Sequence, residues 1–368
     1  MPQLSDIVDA LGEMYPWELA GPSDDSGVLV GSGDSEIAGV LCAVDPVGDA
    51  VQAALDGGCE LLVVHHPHLL KGSGPLDAGT LGGELVRTSV REGLDIVACH
   101  TNADYAEGGL ASLYATRLGL EVEGPLVPFE GACLVKVVVF VPEEALETVT
   151  EAMGVAGAGV IGDYTGCSFQ VAGTGTFIPG EGARPYSGST GELSREPETR
   201  LEMMAPSFKV KGVVRAMRSV HPYEEVAFDV YRLDNPVPWG LGRFGALPGP
   251  RSPGEIMEEL MDWCGSGTGV LEGDEETEVS RVAVVPGMGE DGVVPALAAG
   301  VELFVTGELS WHHRLVLMEA GVAVMMLGHA PSEAPFVRAT VEGLARASDD
   351  AGWGLRVEGF EHTERKGA

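Results

Sequence analysis

Three long apolar runs separated by helical patterns dominate the first third of the chain. The runs are "EIAGVLCAVD" (36–45), "CELLVVH" (59–65) and "LDIVACH" (94–100), and the helical patterns cover 47–57, 80–92 and a segment that starts at 107. Runs that stay apolar at consecutive positions are typical of parallel strands, because helices cover both faces of such a sheet. The order of elements therefore predicts an α/β fold with a parallel sheet.

The last third of the chain repeats this order. Its apolar runs are "VSRVAVVPG" (279–287), "VELFVTGE" (301–308) and "VAVMMLGH" (322–329), each followed by a helical pattern, the last of which ends at 347. Asp45 and His65 are 20 residues apart, as are Pro286 and Thr306. The third run of each half ends in a histidine that precedes a carboxylate by four positions. We therefore predict two duplicated parallel-sheet halves that form one domain.

The middle of the chain has a different order of elements. Strand-like runs, helical patterns and a glycine-rich pair of short strands cover, in turn, 133–142, 143–155, 167–178, 199–206, 207–219 and 225–233. The resulting order β-α-β-β-α-β is typical of a ferredoxin-like α+β unit. We predict an inserted domain over 130–241, between 1–129 and 242–368, with "DNPVPWGLGRFG" as the return linker.

Three short motifs of the middle segment are interpreted as structural. "IGDYTGCSF" and "GTGTF" look like the tight turns of a hairpin, since glycine adopts conformations that other residues avoid. In "HPYEE" (221–225), Pro222 is expected to end the helix before the last strand. The alternative is that His221 faces a cleft.

Charge and cysteine usage narrow the class of protein. The formal net charge is −34 and no basic stripe is present, which argues against a nucleic-acid-binding surface. The six cysteines form no CxxC pair, a pattern typical of reduced, buried thiols in a cytoplasmic protein. No signal-peptide pattern is present, and no stretch reaches the ~20 apolar residues of a membrane span. We therefore expect a cytoplasmic protein without membrane contact.

Histidines gather at the predicted strand ends. The chain has only 9 histidines, yet "LLVVHHPHLL" (61–70) places three of them within four positions. Ligands of open parallel sheets bind beyond the carboxyl ends of the strands. The side chains predicted to lie at such ends are those of His65, His66, His100, His329 and Glu308. Two duplicated halves packed together would direct both sets into one cleft.

Two carboxylates complete a candidate metal site. Asp104 follows His100 by four positions and Glu333 follows His329 by four, so each pair shares a face if the turn after the strand is helical. Imidazole and carboxylate ligands suit Zn, Fe, Mn, Co or Ni, and bridging carboxylates suit two divalent ions about 3.5–4 Å apart, as in many hydrolases. His68 is interpreted as lying at the edge of the cleft. The alternative is that these histidines are structural residues, hydrogen-bonded at strand ends.

A glycine motif offers a competing interpretation. "GMGEDG" (287–292) follows a predicted strand with the spacing Gly-x-Gly-x-x-Gly, and Glu308 lies near the distance expected of a ribose-binding acid. The motif would then bind a dinucleotide. The alternative is a tight turn that lets a strand and a helix pack closely.

Several motifs, in order along the chain, resemble those of the Nif-three-like dinuclear-metal-centre proteins, often catalogued as GTP cyclohydrolase I type II homologs. They are "WELAGPSDDSGVLVG", "VVHHPHLL", "CHTNADYAEGG", "VTGELSWHH" and "GHAPSE". The resemblance covers nearly the whole chain, and "IGDYTGCSF", "GTGTF" and "HPYEEVAFDVY" resemble the insert of longer members. Members usually carry Trp-Asp-Asn where this chain has Trp17-Glu-Leu, which displaces the acid to Asp24 or Asp25. "GHAPSE" has Ala330 where an aromatic residue is common.

The resemblance implies a ligand set and an assembly. The ligands of two divalent metal ions per chain would be His65, His66, Asp104, His329 and Glu333. Glu333 would bridge the ions and His100 would orient a ligand. Glu308 and His312 would be candidate general acid/base residues. The family also implies a homo-hexameric toroid whose metal sites face an internal cavity, with a PII/CutA-like insert that caps it.

Two classes of function follow. The first is a dinuclear-metal-dependent hydrolase of a small, nucleotide-like substrate, which the family name would make GTP, opened at its guanine ring. Few Lys or Arg residues are available to hold a triphosphate, and Arg243 and Arg314 are the candidates. The second is a non-catalytic metal-binding protein that regulates or scaffolds, with the insert as a PII-like sensor. A hydrolase keeps an open coordination position, whereas a structural site is closed.

Overall fold

The structure is a computed structural model that describes residues 1–67 and 79–360. The chain forms two compact units: unit 1 contains the residues up to Phe129 and those from Pro238 onward, and unit 2 contains Glu130–Val237. His68 lies outside the described residues. Among those that are described, no helix combines the length and the apolar character needed to cross a membrane.

Helices and strands alternate along most of the described chain. The helices are α1 (Leu4–Met14), α2 (Gly48–Asp56), α3 (Leu81–Glu92), α4 (Thr101–Tyr105), α5 (Leu110–Leu118), α6 (Leu146–Val155), α7 (Val210–Val220), α8 (Pro253–Cys264), α9 (Val293–Ala298), α10 (Trp311–Glu319) and α11 (His329–Ala351). The strands are β1 (Gly27–Val30), β2 (Gly39–Ala43), β3 (Leu61–Val64), β4 (Asp95–Ala98), β5 (Glu121–Gly124), β6 (Val127–Pro128), β7 (Leu134–Val141), β8 (Phe169–Phe177), β9 (Ser194–Pro206), β10 (Phe228–Arg232), β11 (Gly240–Leu241), β12 (Arg243–Arg251), β13 (Val270–Glu272), β14 (Val279–Met288), β15 (Leu303–Glu308), β16 (Ala323–Met326) and β17 (Arg356–Gly359).

The three apolar runs of the first half form the centre of a five-stranded sheet in unit 1. Strands β2, β3 and β4 are parallel neighbours, and every residue in them is buried. The C-terminal β17 pairs in parallel with β2 at one edge, and β1 pairs antiparallel with β4 at the other. Burial on both faces explains why these runs are apolar at consecutive positions.

The second half forms a six-stranded sheet with a similar parallel centre. Strands β14, β15 and β16 are parallel neighbours, and the order of the whole sheet is β13-β16-β15-β14-β12-β5. Strands β13, β12 and β5 pair antiparallel. The fold is thus a mixed α/β fold: the central strands of each sheet are parallel, as predicted, and antiparallel strands that were not predicted lie outside them. Strands β1, β5, β13 and β17 are only three or four residues long and mostly exposed or half-buried, so they carry no apolar run.

The long helix α11 connects the two sheets of unit 1. It packs against β14 and β15 of the second sheet and against β2 and β17 of the first. Its buried residues include Glu333, a carboxylate residue that is only 4% exposed. Burying a charge costs free energy unless the charge is paired, so partners of Glu333 are expected near the start of this helix.

Unit 2 is a four-stranded antiparallel sheet with two helices. Its chain order is β7-α6-β8-β9-α7-β10 and its strand order is β10-β7-β9-β8. The core packs Val137 of β7 and Leu201 of β9 against Val149 of α6 and Val213 of α7.

The prediction of two short strands at 167–178 was wrong. A single strand, β8, occupies this segment and pairs with the 13-residue β9 beyond a long loop. "GTGTF" therefore lies inside β8 and not in a turn. A side chain at Gly175 would overlap the carboxylate of Glu198 on β9, which explains why glycine occurs there without a turn. The bridge between Ile161 and Tyr164 does form a tight turn in "IGDYTGCSF".

The six cysteines are free thiols. Four are buried, as the sequence predicted, and burial raises the pKa of Cys264 to about 11. Cys133 and Cys167 are only half-buried.

Candidate metal centre

Two adjacent histidines at the end of β3 open the candidate site. The N–H groups of His65 and His66 both donate to the carbonyl of Val44, at 3.0 and 2.9 Å. Backbone pairing between the β2 and β3 segments therefore continues past both strands and fixes the backbone that carries the two rings. The ring centroids lie 4.9 Å apart, and both residues are buried.

The first turn of α11 supplies the second group. His329 is the first residue of this helix, and its Nε2 lies 3.2 Å from Oε1 of Glu333, one helical turn further on. Nε2 of His66 lies 3.1 Å from the other oxygen of Glu333, and Nε2 of His65 lies 3.7 Å from Oε1. Three imidazoles from both halves of the chain therefore converge on one buried carboxylate.

Asp104 approaches the same centre from the first half. Helix α4 begins directly after His100, and the N–H of Asp104 donates to the His100 carbonyl at 3.1 Å. Oδ1 of Asp104 lies 3.6 Å from Nε2 of His65. Burial and the negative charge of Glu333 raise the pKa of Asp104 to about 7. A second carboxylate thus lies beside the first.

Each imidazole is oriented by an acceptor on its outer nitrogen. The pairs are His65 Nδ1 with the Cys99 carbonyl (2.8 Å), His66 Nδ1 with Asp45 (2.8 Å), His100 Nδ1 with Asp24 (2.8 Å) and His329 Nδ1 with Glu308 (2.9 Å). When the ring is neutral, an Nδ1–H group that donates outward leaves the lone pair of Nε2 free to face the centre, where it can bind a metal ion. Histidines that bind metals are held in this way.

One buried atom at the centre, Nε2 of His65, lacks a hydrogen-bond partner within the part of the chain that the structure describes. Such a group costs about 1–3 kcal/mol, and a cation bound there would satisfy it. The donor atoms of His65, His66 and His100 lie within 4.8 Å of one another, as do those of His66, His329 and Glu333. The residues therefore fit divalent ions with mixed nitrogen and oxygen ligands.

The electrostatics of the cluster favour a cation. Burial opposes ionisation of Glu333, but hydrogen bonds from His329 and His66 hold its pKa well below the usual range. Burial also opposes protonation of His66, yet Asp45 and Glu333 raise its pKa to about 10. Glu333 raises the pKa of His329 to about 9, whereas burial lowers that of His65 to about 4. Glu333 is therefore ionised at neutral pH, and its negative charge favours a cation in the site.

The two candidate acid/base residues separate in the structure. Glu308, at the end of β15, bonds to the outer nitrogen of His329 and keeps 54% of its side chain exposed. The side chain of His312 is exposed on α10, and no hydrogen bond or ion pair joins this side chain to the described parts of the chain. The structure thus places Glu308 at the rim of the histidine cluster and does not bring His312 into it.

The two arginines considered for a triphosphate are engaged elsewhere. Arg243 is buried and donates to the carbonyls of Gly240, Gly242 and Ala106 at 2.7–2.9 Å. Arg314 lies 2.6 Å from Glu272. Their hydrogen bonds and ion pairs lie outside the histidine cluster, so they form no phosphate cradle there.

The glycines of "GMGEDG" serve close packing at the site. Gly287 has φ +67°, a left-handed conformation that favours glycine, and a side chain there would overlap the Glu333 carboxylate. A side chain at Gly289 would overlap Thr306 of β15. These contacts favour the tight-turn interpretation of the motif over dinucleotide binding.

Two acidic residues, Asp45 and Asp24, were not recognised from the sequence as hydrogen-bond partners of the histidines. Asp45 follows the first apolar run, so the strand-end rule that selected His65 could have selected it as well. Asp24 accepts hydrogen bonds from His100, Thr101 and Ser26 at 2.6–3.0 Å, and these hold its pKa below the usual range despite partial burial. It lies far from His100 in the sequence, and no spacing rule connects the two.

Known proteins resemble this chain over most of its length. Residues 2–365 match the family model described as Duf34/NIF3 (NGG1p interacting factor 3). A Mycobacterium tuberculosis protein named "GTP cyclohydrolase 1 type 2 homolog" is 40% identical over 347 residues, which cover 93% of this chain and 91% of the relative. A Bacillus subtilis protein of the same name is 33% identical over 324 residues, or 88% and 87% of the two chains.

The fold agrees with these sequence matches. The crystal structure of a Bacillus cereus protein related to NIF3 superposes with a TM-score of 0.87 at 32% identity, and the match covers 100% of this chain and 99% of that one. The resemblance drawn from the motifs is therefore confirmed: the chain belongs to the Duf34/NIF3 (NGG1p interacting factor 3) family.

Proposed function

We propose that the protein is a hydrolase of a small substrate that depends on two divalent metal ions. The proposed ligands are His65, His66, Asp104, His329 and Glu333. The observation that carries the proposal is the convergence of their inward nitrogen and oxygen atoms on a buried centre, where Nε2 of His65 has no hydrogen-bond partner among the described residues. This ligand set suits Zn, Fe, Mn, Co or Ni.

Glu333 is the proposed bridging ligand. Its Oε1 lies near His329 and His65, and its Oε2 lies near His66, so the two oxygens face different imidazoles. Asp104, beside His65, would complete the shell of one ion. His100 is proposed as the positioning residue predicted from the sequence.

The chain's own residues would orient the ligands and move protons. Divalent ions held here would supply Lewis acidity toward an electrophilic substrate. The outer acceptors fix each imidazole with Nε2 directed inward. Glu308 is the proposed acid/base residue, since it lies at the rim with an exposed carboxylate bonded to His329. No side-chain contact of His312 with the described residues supports such a role.

The names of the relatives and the engagement of two arginines both bear on the class of substrate. The relatives' name makes the guanine ring of GTP the first candidate for attack. The engagement of Arg243 and Arg314 elsewhere argues against a triphosphate held by these two residues. We therefore favour a small substrate and regard GTP as the first nucleotide to assay.

The convergence of the ligand atoms also favours the second candidate function, a non-catalytic metal-binding regulator or scaffold. In that case unit 2 would act as the sensor. The order β-α-β-β-α-β and the strand order of unit 2 support a ferredoxin-like insert, which we propose to be PII/CutA-like. A cytoplasmic homo-hexamer is proposed from the family resemblance alone.

Elemental analysis by inductively coupled plasma mass spectrometry tests the proposal. We expect about two divalent ions per chain in the wild type and a sharp loss in Glu333→Ala. Glu342→Ala is the matched control, because Glu342 is an exposed carboxylate on the same helix. Wild-type protein that cannot be loaded with Zn, Mn, Fe, Co or Ni would refute the metal centre. Metal-loaded protein without turnover of nucleotides or phosphoesters would favour the regulator.

A further inference from the structure

A cavity that lies wholly within unit 2 brings aromatic rings and carboxylates together. Its volume is about 480 Å³, within the range of small-molecule sites. The aromatic and acidic residues that line it are Phe140, Phe177, Tyr186, Tyr223, Glu198, Glu224 and Glu225. The other lining residues are mostly small or apolar, and none of the lining residues, all of them described, is Lys, Arg or His.

The motif "HPYEE" holds the aromatic wall in place. His221 accepts a hydrogen bond from the N–H of Tyr223 at Nδ1 and donates from Nε2 to the carbonyl of Phe140, both at 3.1 Å. The rings of Tyr223 and Tyr186 lie 5.7 Å apart, and the Tyr186 hydroxyl donates to Glu144 at 2.8 Å. Two rings of the cavity are therefore fixed by hydrogen bonds as well as by packing.

The acidic wall is also positioned by specific contacts. Glu198 accepts a hydrogen bond from the Tyr223 hydroxyl at 2.9 Å, and its carboxylate occupies the space that a side chain at Gly175 would fill. Glu224 accepts from the backbone N–H of Arg184 at 2.6 Å. The glycine in β8 thus makes room for a carboxylate beside an aromatic ring.

We infer that this cavity binds a small organic cation of the alkylammonium class. Aromatic faces attract cations through the ring quadrupole, and quaternary ammonium groups are the ligands best known to exploit this. Glu198, Glu224 and Glu225 add negative charge, and the apolar remainder suits alkyl groups better than a hydrated inorganic ion. The same three carboxylates would repel a nucleotide phosphate. The cavity therefore differs in chemistry from a nucleotide-sensing site.

Isothermal titration calorimetry on the full chain tests this inference with a matched pair of probes. Choline carries a quaternary ammonium group, and 3,3-dimethylbutan-1-ol is its neutral isostere. We expect choline to bind at least about tenfold more tightly than the isostere and to weaken as sodium chloride is added. Equal affinity for the two probes, stronger binding of ATP, or no binding of choline at concentrations on the order of 10 mM would overturn the inference.

Substitutions locate the binding site. Glu198→Gln and Tyr186→Leu should each weaken choline binding about tenfold, because one removes a charge and the other a ring. Tyr164→Leu is the control, since Tyr164 belongs to the same unit, is 74% exposed and does not line the cavity. Circular dichroism verifies that each variant folds, and Glu225→Gln replaces any that does not. Unchanged affinity in the folded cavity variants would show that choline binds elsewhere.

Discussion

Nδ1 of His66 lies 2.8 Å from Oδ1 of Asp45. The two residues follow neighbouring parallel strands, so the sheet itself sets their separation. The carboxylate orients the ring, and the opposite nitrogen of His66 then faces Glu333 at 3.1 Å. Asp45 is not a proposed metal ligand, but this contact lets it set the orientation of His66, which is one.

Asp45→Asn should weaken metal binding without removing a ligand. The amide keeps the shape of the carboxylate but loses the negative charge that makes Nε2 of His66 a stronger electron-pair donor to a metal ion. We expect roughly 10–100-fold lower affinity for Zn²⁺, measured by competition with a chromophoric chelator. Asp56→Asn, a surface aspartate at the end of α2, is the control. Equal affinity in the two variants would show that Asp45 has no part in ligand orientation.

Gly287→Ala should disturb Glu333 through a steric clash. Both Gly287 and Gly300 have left-handed backbones, at φ +67° and +66°, but only a side chain at 287 would overlap the Glu333 carboxylate. Alanine at either position should cost about 1–2 kcal/mol of stability, whereas metal content should fall only in Gly287→Ala. Thermal unfolding and elemental analysis of both variants separate backbone strain from the clash. Full metal content in Gly287→Ala would contradict this account.

Arg243→Met should destabilise unit 1, because it leaves buried carbonyls without a donor. Arg243 bonds to Gly240, Gly242 and Ala106, and Ala106 ends the helix that carries Asp104. We expect a loss of roughly 3 kcal/mol in the free energy of unfolding.

Urea denaturation followed by tryptophan fluorescence measures this loss. All five tryptophans, Trp17, Trp239, Trp263, Trp311 and Trp353, belong to unit 1, so the signal is specific to it. The exposed Arg87→Met is the control. A midpoint equal to that of the control would mean that the carbonyls find other partners.

The buried strands and the histidine-bearing ends were predictable because both follow local rules. Burial on two faces requires consecutive apolar residues, and β2, β3 and β4 have them. The turn that joins His329 to Glu333 follows from helical periodicity.

Features that depend on distant segments were not predictable in the same way. Strand β17 pairs with β2 across most of the chain, and β8 finds its partner in β9 beyond a long loop. Asp24 reaches His100 across 76 positions. The tertiary fold sets these contacts, and neither apolar periodicity nor motif spacing records them.

His221 gives unit 2 a pH dependence that is separate from the metal site. A neutral imidazole satisfies both of its hydrogen bonds, to the N–H of Tyr223 and to the carbonyl of Phe140. Burial lowers the pKa of His221 below its ordinary 6.5, although the Phe140 carbonyl opposes this. The unfolded chain then binds the proton more tightly than the folded chain does. The contribution of His221 to the free energy of unfolding should therefore be complete above pH 6.5 and fall as the pH drops below that value.

His221→Asn is the test, since an asparagine oxygen accepts the Tyr223 N–H without titrating. Hydrogen exchange of peptides from β7 and α7, corrected for the intrinsic effect of pH on exchange, reports the local stability of unit 2. We expect wild-type protection to decline between pH 7.5 and 5.5 by more than that of the variant, because protonating Nδ1 removes its ability to accept. The same decline in both proteins would assign the pH dependence to another group in unit 2.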